Sequence, residues 1–558
     1  MEKAMNKWIL AAFATACAWT LPAQTETVKI YDYAARQPWL ERDTVITGWD
    51  LSLPQWVEPA PDAYLTTGIR TTDSSFPGNR LRKFGLSWRQ LEPEEGDYRF
   101  AQYADSLDAW QQRGVEGVEL HIRGAVWQTD FYTKTDSGKK HLRTNMGTAP
   151  RWLEQYGVKK RQEQLMVKVN PMFQITNLEV YDPAYLTRYQ RFVRQFAASE
   201  LPDHPMVKVI YIHFDTGHTR GEEGNGPNRK SPDWAKYMQT MRIWAKAMGD
   251  RVGRCMAMTG WSGDNLKEIV NMGLGQRNGF VEMYLAQVDN PLFGMSVDRR
   301  GYILVDENYA PIRDGRAWGD ENEEYTREFV PRFGPMSTFL HRYRESSFMT
   351  LVMRRNVLWE QNHDQTLDPY LTAYMGLELG RNIGNTPDAW CYLRESYIKR
   401  RGTGEETPVK NFERWLTQRD DHGTHTIPTR RVDHGTAGKL AGKLYNYYVR
   451  GKEYDYTARK ADRIGFYLDP RFLKEYSGRI AVKVTYYDHG DITLSYFTSS
   501  GSRSALLPGV GDGILKTVTL FIDRFAYAPE KKFDLMLSGN RKPVEAVFVR
   551  IIKVDKPQ

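Results

Sequence analysis

The 558-residue chain is predicted to fold as an α/β (β/α)8 barrel followed by an all-β sandwich. Three observations carry this. From about residue 44 to 400, apolar or β-branched runs alternate with amphipathic helical stretches, which implies parallel strands and right-handed crossovers. Roughly eight strand slots fit a closed barrel, and there is no glycine-rich dinucleotide loop to favour an open sheet. Beyond about residue 420 the pattern changes to short alternating strands separated by turns.

Taken in order, Thr44–Asp50 is the first strand candidate and Phe84–Gln90 the second. A helix over 101–112 follows, with Tyr103, Leu107 and Trp110 on one face, and Gly114 stops it. Val115–Arg123 is the third strand. A helix from Asp182 to Ser199 presents Tyr185, Leu186, Tyr189, Phe192, Val193 and Phe196, and Met206–Asp215 is the fourth strand. Ser231-Pro232 starts the clearest helix, where Trp234, Tyr237, Met238, Met241, Trp244 and Met248 keep the helical period. Cys255–Thr259, Gly279–Ala286, Arg316–Glu321 and Met349–Trp359 continue as strands, and a helix spans 368–380. In the second domain Ile480–Tyr487, Ile492–Phe497, Leu515–Ile522 and Val544–Val554 alternate with turns at Asp488-His-Gly and Ser499-Ser-Gly.

Residues 1–24 read as a cleaved signal peptide, with Lys3 and Lys7 ahead of an apolar Ile9–Leu21 too short to span a bilayer. The alternative is lipidation at Cys17, although Ala14-Thr15-Ala16 lacks the Leu such a site uses. The expected domains are therefore 1–24 signal, 25–418 barrel and 419–558 sandwich, and the mature protein is expected to be secreted or periplasmic, with no membrane span. Cys255 and Cys391 remain, either as a disulfide or as two buried thiols.

Composition excludes several classes. With 41% apolar and 26% charged residues, the chain is neither disordered nor fibrous. Net charge is +8 with no run of five or more Lys/Arg, which argues against nucleic acid and suits an anionic ligand. Zinc-protease, nucleophile-elbow, P-loop and Rossmann signatures are all missing, and the 11 His show no metal-ligand spacing, so no cofactor and no metal are expected. Oligomeric state has no signature. Aromatic content of 13% exceeds what core packing asks for and suits gripping sugars.

Trp88-Arg-Gln-Leu-Glu92-Pro-Glu-Glu-Gly96-Asp-Tyr98-Arg-Phe100 resembles the W-x-x-L-E-P-x-x-G-x-Y segment after the second strand of β-galactosidase-like and β-agarase-like glycoside hydrolases with a clan-A-type barrel. Ala149-Pro-Arg-Trp152-Leu is similar to their P-x-W-L, Thr386-Pro-Asp-Ala-Trp390 to a segment beyond their eighth strand, and Phe466-Tyr-Leu-Asp469 to their C-terminal sandwich. The resemblance implies a secreted hydrolase of poly- or oligosaccharides. The chain departs at the fourth strand, which ends His213-Phe-Asp215 instead of Asn-Glu. There Gly221-Glu222-Glu223 looks more like the Gly-Glu of β-amylase-like barrels, whose Glu is the general acid.

Glycoside cleavage needs two carboxyl groups, and in a barrel they belong at the C-terminal strand ends. Glu222 is the expected general acid and Glu321 the nucleophile or base, with Glu223, Glu360 and Asp215 as alternates. Trp49, Asp50, Trp88, His121, Arg123, Trp127, Trp261, Tyr284, Trp318 and Trp359 are candidate substrate contacts, each ring also being an ordinary core residue. An anionic, for example sulfated, galactan would suit the charge. The competing readings are a non-catalytic glycan-binding protein on a decayed barrel, and a lyase of acidic polysaccharides using Tyr, His or Arg around a uronate.

Overall fold

The structure is a computed structural model and describes residues 49–67, 78–134, 140–164, 173–212, 229–232, 234–258, 263–280, 288–322, 344, 347–360, 369–399, 406–422, 425–426, 428–432, 458–530 and 532–557. Eight parallel strands close into a barrel: β1 (Tyr64–Thr67), β2 (Arg80–Ser87), β3 (Val118–Arg123), β4 (Val207–Ile212), β5 (Cys255–Met258), β6 (Gly275–Phe280), β7 (Trp318–Asn322) and β8 (Val357–Glu360). Each pairs with its sequence neighbours, and β1 closes on β8 with Tyr64 opposite Val357.

The two-residue period of each strand divides its side chains between lumen and helices. On β3, Val118, Leu120 and Ile122 face the helical layer with Phe192, Phe196 and Trp244, leaving Glu119, His121 and Arg123 for the lumen. The helix Pro183–Ala198 starts where Asp182 accepts from the Ala184 N–H at 2.8 Å and Pro183 sets the first turn. Its stripe Tyr185, Tyr189, Phe192, Val193 and Phe196 meets the helix Trp234–Met248, where Trp244 Nε1 donates to Tyr189 Oη at 3.0 Å. Deeper in the lumen Leu81, Val209, Met256, Ala317 and Val357 fill the floor.

Several elements differ from the sequence reading. The first barrel strand is Tyr64–Thr67 rather than Thr44–Asp50: Trp49 and Asp50 dock instead on the second domain. The sixth strand starts at Gly275, ahead of the expected Gly279. The run from Met349 is helical to residue 352, and Arg354, at φ 56°, turns the chain into β8. A short apolar run does not distinguish helix from strand. A four-stranded antiparallel sheet after β3, ordered Lys140–Met146, Val126–Lys134, Phe173–Leu178, Lys160–Gln164, was not anticipated.

The second domain is a sandwich. One sheet joins Glu406–Arg414, Asp388–Lys399, Val544–Lys553, Ala458–Ala461 and Arg430–Val432, with Ile480–Tyr487 and Leu515–Ile522 attached. The other runs Leu416–Gln418, Arg463–Leu468, Leu535–Gly539, Ile492–Thr498, Gly501–Leu507. Their inner faces pack Leu393, Val482, Val549 and Ile551 against Ile464, Phe466, Leu494 and Leu537. Asp388–Lys399, Glu406–Arg414 and Leu416–Gln418, placed with the barrel by the expected boundary, thus pair into this domain: Asp388–Lys399 lies beside Val544–Lys553, a partner far along the chain. Val544–Lys553 is buried on both faces because its far side meets the barrel, which is why apolar residues do not simply alternate along it, and its Glu545, Arg550 and Lys553 are buried too. At that junction Trp49, Phe348, Tyr374, Trp390, Tyr392 and Phe548 form one cluster. Cys255 on β5 and Cys391 in the sandwich are free and buried, so they are not a disulfide. No helix among the described residues is long and apolar enough to cross a membrane.

Candidate active site

The lumen just below the C-terminal strand ends holds a polar cluster drawn from six strands. Glu119 and His121 come from β3, Lys83 from β2, Thr66 from β1, Tyr211 from β4, Arg277 from β6 and Trp359 from β8. Glu119 is wholly buried; its Oε2 accepts from Thr66 Oγ1 at 2.8 Å and its Oε1 lies 3.2 Å from His121 Nε2. Burial pushes the Glu119 carboxyl up to about 7, against the opposing pull of Lys83, the Thr66 hydroxyl and Arg277. Trp359 anchors the cluster. Its ring carries Arg277 Cζ at 3.6 Å and Lys83 Nζ at 4.1 Å, stacks on His121 at 5.5 Å and meets the Tyr211 edge at 5.0 Å. The Tyr211 hydroxyl accepts from Arg277 Nη1 at 3.4 Å. Lys83 is exposed, and among the described residues nothing lies within 4 Å of where a Cβ on Gly85 would stand. Gly85 is opposite His121, so this gap opens the lumen beside the imidazole.

Glu321 lies at the C-terminal end of β7, opposite Phe280 of β6 and Trp359 of β8, so its backbone adjoins the cluster. Glu360 ends β8 opposite Thr67 and Asn322. Glu222, Glu223, Asp215, Trp261 and Tyr284 lie outside the described residues.

Of the other expected contacts, His121, Arg123 and Trp359 are at the mouth or in the lumen. Arg123 ends β3 opposite Ser87 and is partly exposed. The remaining four tryptophans are structural in these surroundings. Trp88 is fully buried behind β2 among Trp152, Tyr185, Tyr189 and Phe192. Its Nε1 donates to Glu92 Oε2 at 2.7 Å, while Glu92 Oε1 accepts from the Gly96 N–H at 2.9 Å and Arg191 Nη2 at 2.8 Å. The W-x-x-L-E-P-x-x-G segment is therefore a clamp on the turn after β2. Trp318 faces away from the lumen, against Tyr309, Leu266 and Phe293. Trp49 stacks on Phe548 of the sandwich at 5.0 Å, and Asp50 pairs with Lys483 at 2.5 Å. Trp127 lies between Arg151 and Lys160 at 4.1 and 4.0 Å in the four-stranded insertion. A large ring at a strand end is as ready to fill the helix–strand gap as to line the mouth, and only the pleat decides which.

Sequence reasoning passed over Glu119, Lys83, Tyr211 and Arg277. The signal was present in Val118-Glu-Leu-His-Ile-Arg123, whose charged residues alternate in a strand otherwise apolar. In a parallel barrel both faces are buried, so a polar face must be a polar lumen.

A cavity of about 310 Å³ opens at the opposite mouth, lined by Asp62, Tyr64, Asp203, His204, Arg254 and Val357. These residues flank the N-terminal strand ends, the face of a barrel that serves stability rather than chemistry.

No family of known proteins and no curated protein matches the sequence. Among solved structures, the chain is similar to an exo-β-1,4-mannosidase from Opitutaceae bacterium strain TAV5, at 11% identity and TM-score 0.28, over 54% of this chain and 49% of that one. It is similar to endo-glycoceramidase II from Rhodococcus sp. at 11% identity and TM-score 0.31, over 91% and 99% of the two chains. A cycloalternan-forming enzyme from Listeria monocytogenes gives 8% identity and TM-score 0.28, over 91% and 67%. The chain thus spans about half the length of the mannosidase. Similarities this distant assign neither an activity nor a substrate.

Proposed function

We propose that the protein is an exported glycoside hydrolase that cleaves a poly- or oligosaccharide at the C-terminal mouth of the barrel. The observation that carries this is the position of Glu321: a carboxylic residue at the end of β7, opposite Trp359 and beside the Glu119–His121–Arg277 cluster. Strand ends on this face are where barrel chemistry sits. Glu321 acts as nucleophile or base, and Glu222, in the segment after β4, protonates the leaving oxygen. His121 and Arg123 hold hydroxyl groups or an anionic substituent. Lys83 and Arg277, facing the lumen with Glu119, favour a carboxylated or sulfated sugar, of which a sulfated galactan is one example. Residues 1–24 direct export and are removed.

A reducing-end assay of residues 25–558 on a polysaccharide panel that includes sulfated algal galactans tests this. New reducing ends without ultraviolet absorbance are expected. Silence across the panel together with measurable binding to it would instead favour a glycan-binding protein.

A second reading has its own support. Tyr211, His121 and Arg277 occupy one cluster, the residue types an acidic-polysaccharide lyase uses to neutralise a uronate and move its C5 proton. A lyase leaves a new C=C bond, so products absorbing in the ultraviolet would select it.

A further inference from the structure

Among the described residues, the lumen cluster contains one wholly buried carboxylate, Glu119. Glu119 is buried beneath His121 on the same face of β3, two residues earlier in the strand. Its Oε2 is fixed by the Thr66 hydroxyl of β1 at 2.8 Å, which leaves Oε1 turned to His121 Nε2 at 3.2 Å. Both atoms are shielded from water. The pair is not in hydrogen-bonding geometry, so at 3.2 Å the carboxylate acts on the imidazole through its charge, which favours the protonated ring. The imidazole in turn stacks on Trp359 and sits beside Tyr211, so holding the ring also sets the wall of the mouth.

We propose that Glu119 is a positioning residue of the site, its charge favouring the imidazolium form of His121 so that Nδ1, the nitrogen not turned to Glu119, presents a donor toward bound substrate. This rests on the reading that substrate binds at this mouth. Among the described residues, the groups facing the pair include Thr66 from β1, Lys83 from β2, Tyr211 from β4, Arg277 from β6 and Trp359 from β8. Lys83 and Arg277 oppose a protonated imidazole, and Glu119 is the described carboxylate that favours one.

The test uses the whole mature protein labelled with 13C at histidine Cε1, with H121N assigning the resonance. In E119Q, which keeps the shape and the Thr66 contact, the His121 titration midpoint is expected to fall by about one pH unit or more. T66V, which frees the carboxyl without removing its charge, is expected to shift the midpoint less. On the substrate found by the reducing-end assay, E119Q should lower kcat/KM about 10- to 100-fold and move its pH profile, while E119D restores part of both. An unchanged His121 midpoint in folded E119Q would overturn the proposal. If E119Q fails to fold, an unshifted midpoint in both T66V and E119D would do the same. Because the titration needs no substrate, it reads out even if the hydrolase reading fails.

Discussion

Arg414 donates to the buried Glu378 carboxylate at 2.8 Å, and through that pair the sandwich grips the last helix of the barrel. Glu378 ends the helix Pro369–Glu378, and Arg414 also donates to the Glu378 and Arg381 carbonyls. Nearby, Arg550 donates twice to Asp388, at 2.9 and 2.7 Å, and Tyr374 Oη donates to the same carboxyl oxygen at 2.8 Å. Two buried guanidiniums thus face two buried carboxyls across the domain junction. Burial and the Asp388 carboxylate push Glu378 up, against the pull of Arg414.

Removing one partner leaves an uncompensated buried group. R414M is expected to lower stability by about 3–5 kcal/mol, measured by denaturant unfolding. The double variant R414M/E378M should recover most of that loss. A double variant as unstable as the single would show that packing, not charge, holds the junction.

The junction also predicts that the barrel does not stand alone. Cutting after residue 387 removes Trp390, Tyr392 and Phe548 from the cluster containing Trp49, Phe348 and Tyr374. The fragment 25–387 should be insoluble or molten by near-ultraviolet circular dichroism, since an apolar face of that kind needs cover. A soluble fragment with full activity would refute the account of the sandwich as a packed structural module.

The clamp after β2 separates stability from chemistry. E92A strands the buried Trp88 indole N–H and removes the carboxylate from the exposed Gly96 N–H and from Arg191, which keeps Glu95, and should cost about 1–3 kcal/mol in thermal unfolding. Activity per folded molecule should persist at low temperature. Loss of turnover in a fully folded E92A would place this motif in the chemistry.

If Glu321 and Glu222 act as the proposed catalytic pair, E321Q and E222Q are each expected to reduce turnover by several orders of magnitude, with unfolding midpoints close to wild type. Near-wild-type rates in either variant would remove that residue from the mechanism and bring forward Glu360, Glu223 or Asp215.

The buried Glu119 gives a pH dependence of definite sign. Its carboxyl lies above the ordinary 4.5, at about 7, so folding favours the protonated form. The stabilising contribution is fully present below 4.5 and is lost as pH rises through about 7. Replacing the carboxyl by an amide in E119Q should flatten the fall of Tm with pH across that window. A Tm profile parallel to wild type throughout would exclude Glu119 as the titrating group.

Much of the fold was legible because local patterns report it directly. Helices over 183–198 and 234–248 announced themselves through continuous apolar stripes, the second also through the Ser231-Pro232 ahead of it, all properties of nearby residues. Leu515–Ile522 and Ile480–Tyr487 were equally plain. The site was legible only in part. His121, Arg123, Trp359 and the position of Glu321 come to the mouth or lumen, whereas Trp88 and Trp318 turn to the helical layer. Reading the phase of each pleat would have separated them.

The sequence by itself determined the alternation of strands and helices and the change from barrel to sandwich, because periodicity and turn chemistry act over a few residues. Tertiary structure alone decided which strands pair and which side chains meet. Asp388 and Arg550 stand 162 positions apart, yet they share one buried ion pair. Glu119 touches Thr66 from a strand 53 positions earlier only because the barrel closes. Such contacts are fixed by closing long loops and excluding water from the space they bound, a free-energy balance that no short stretch of sequence contains.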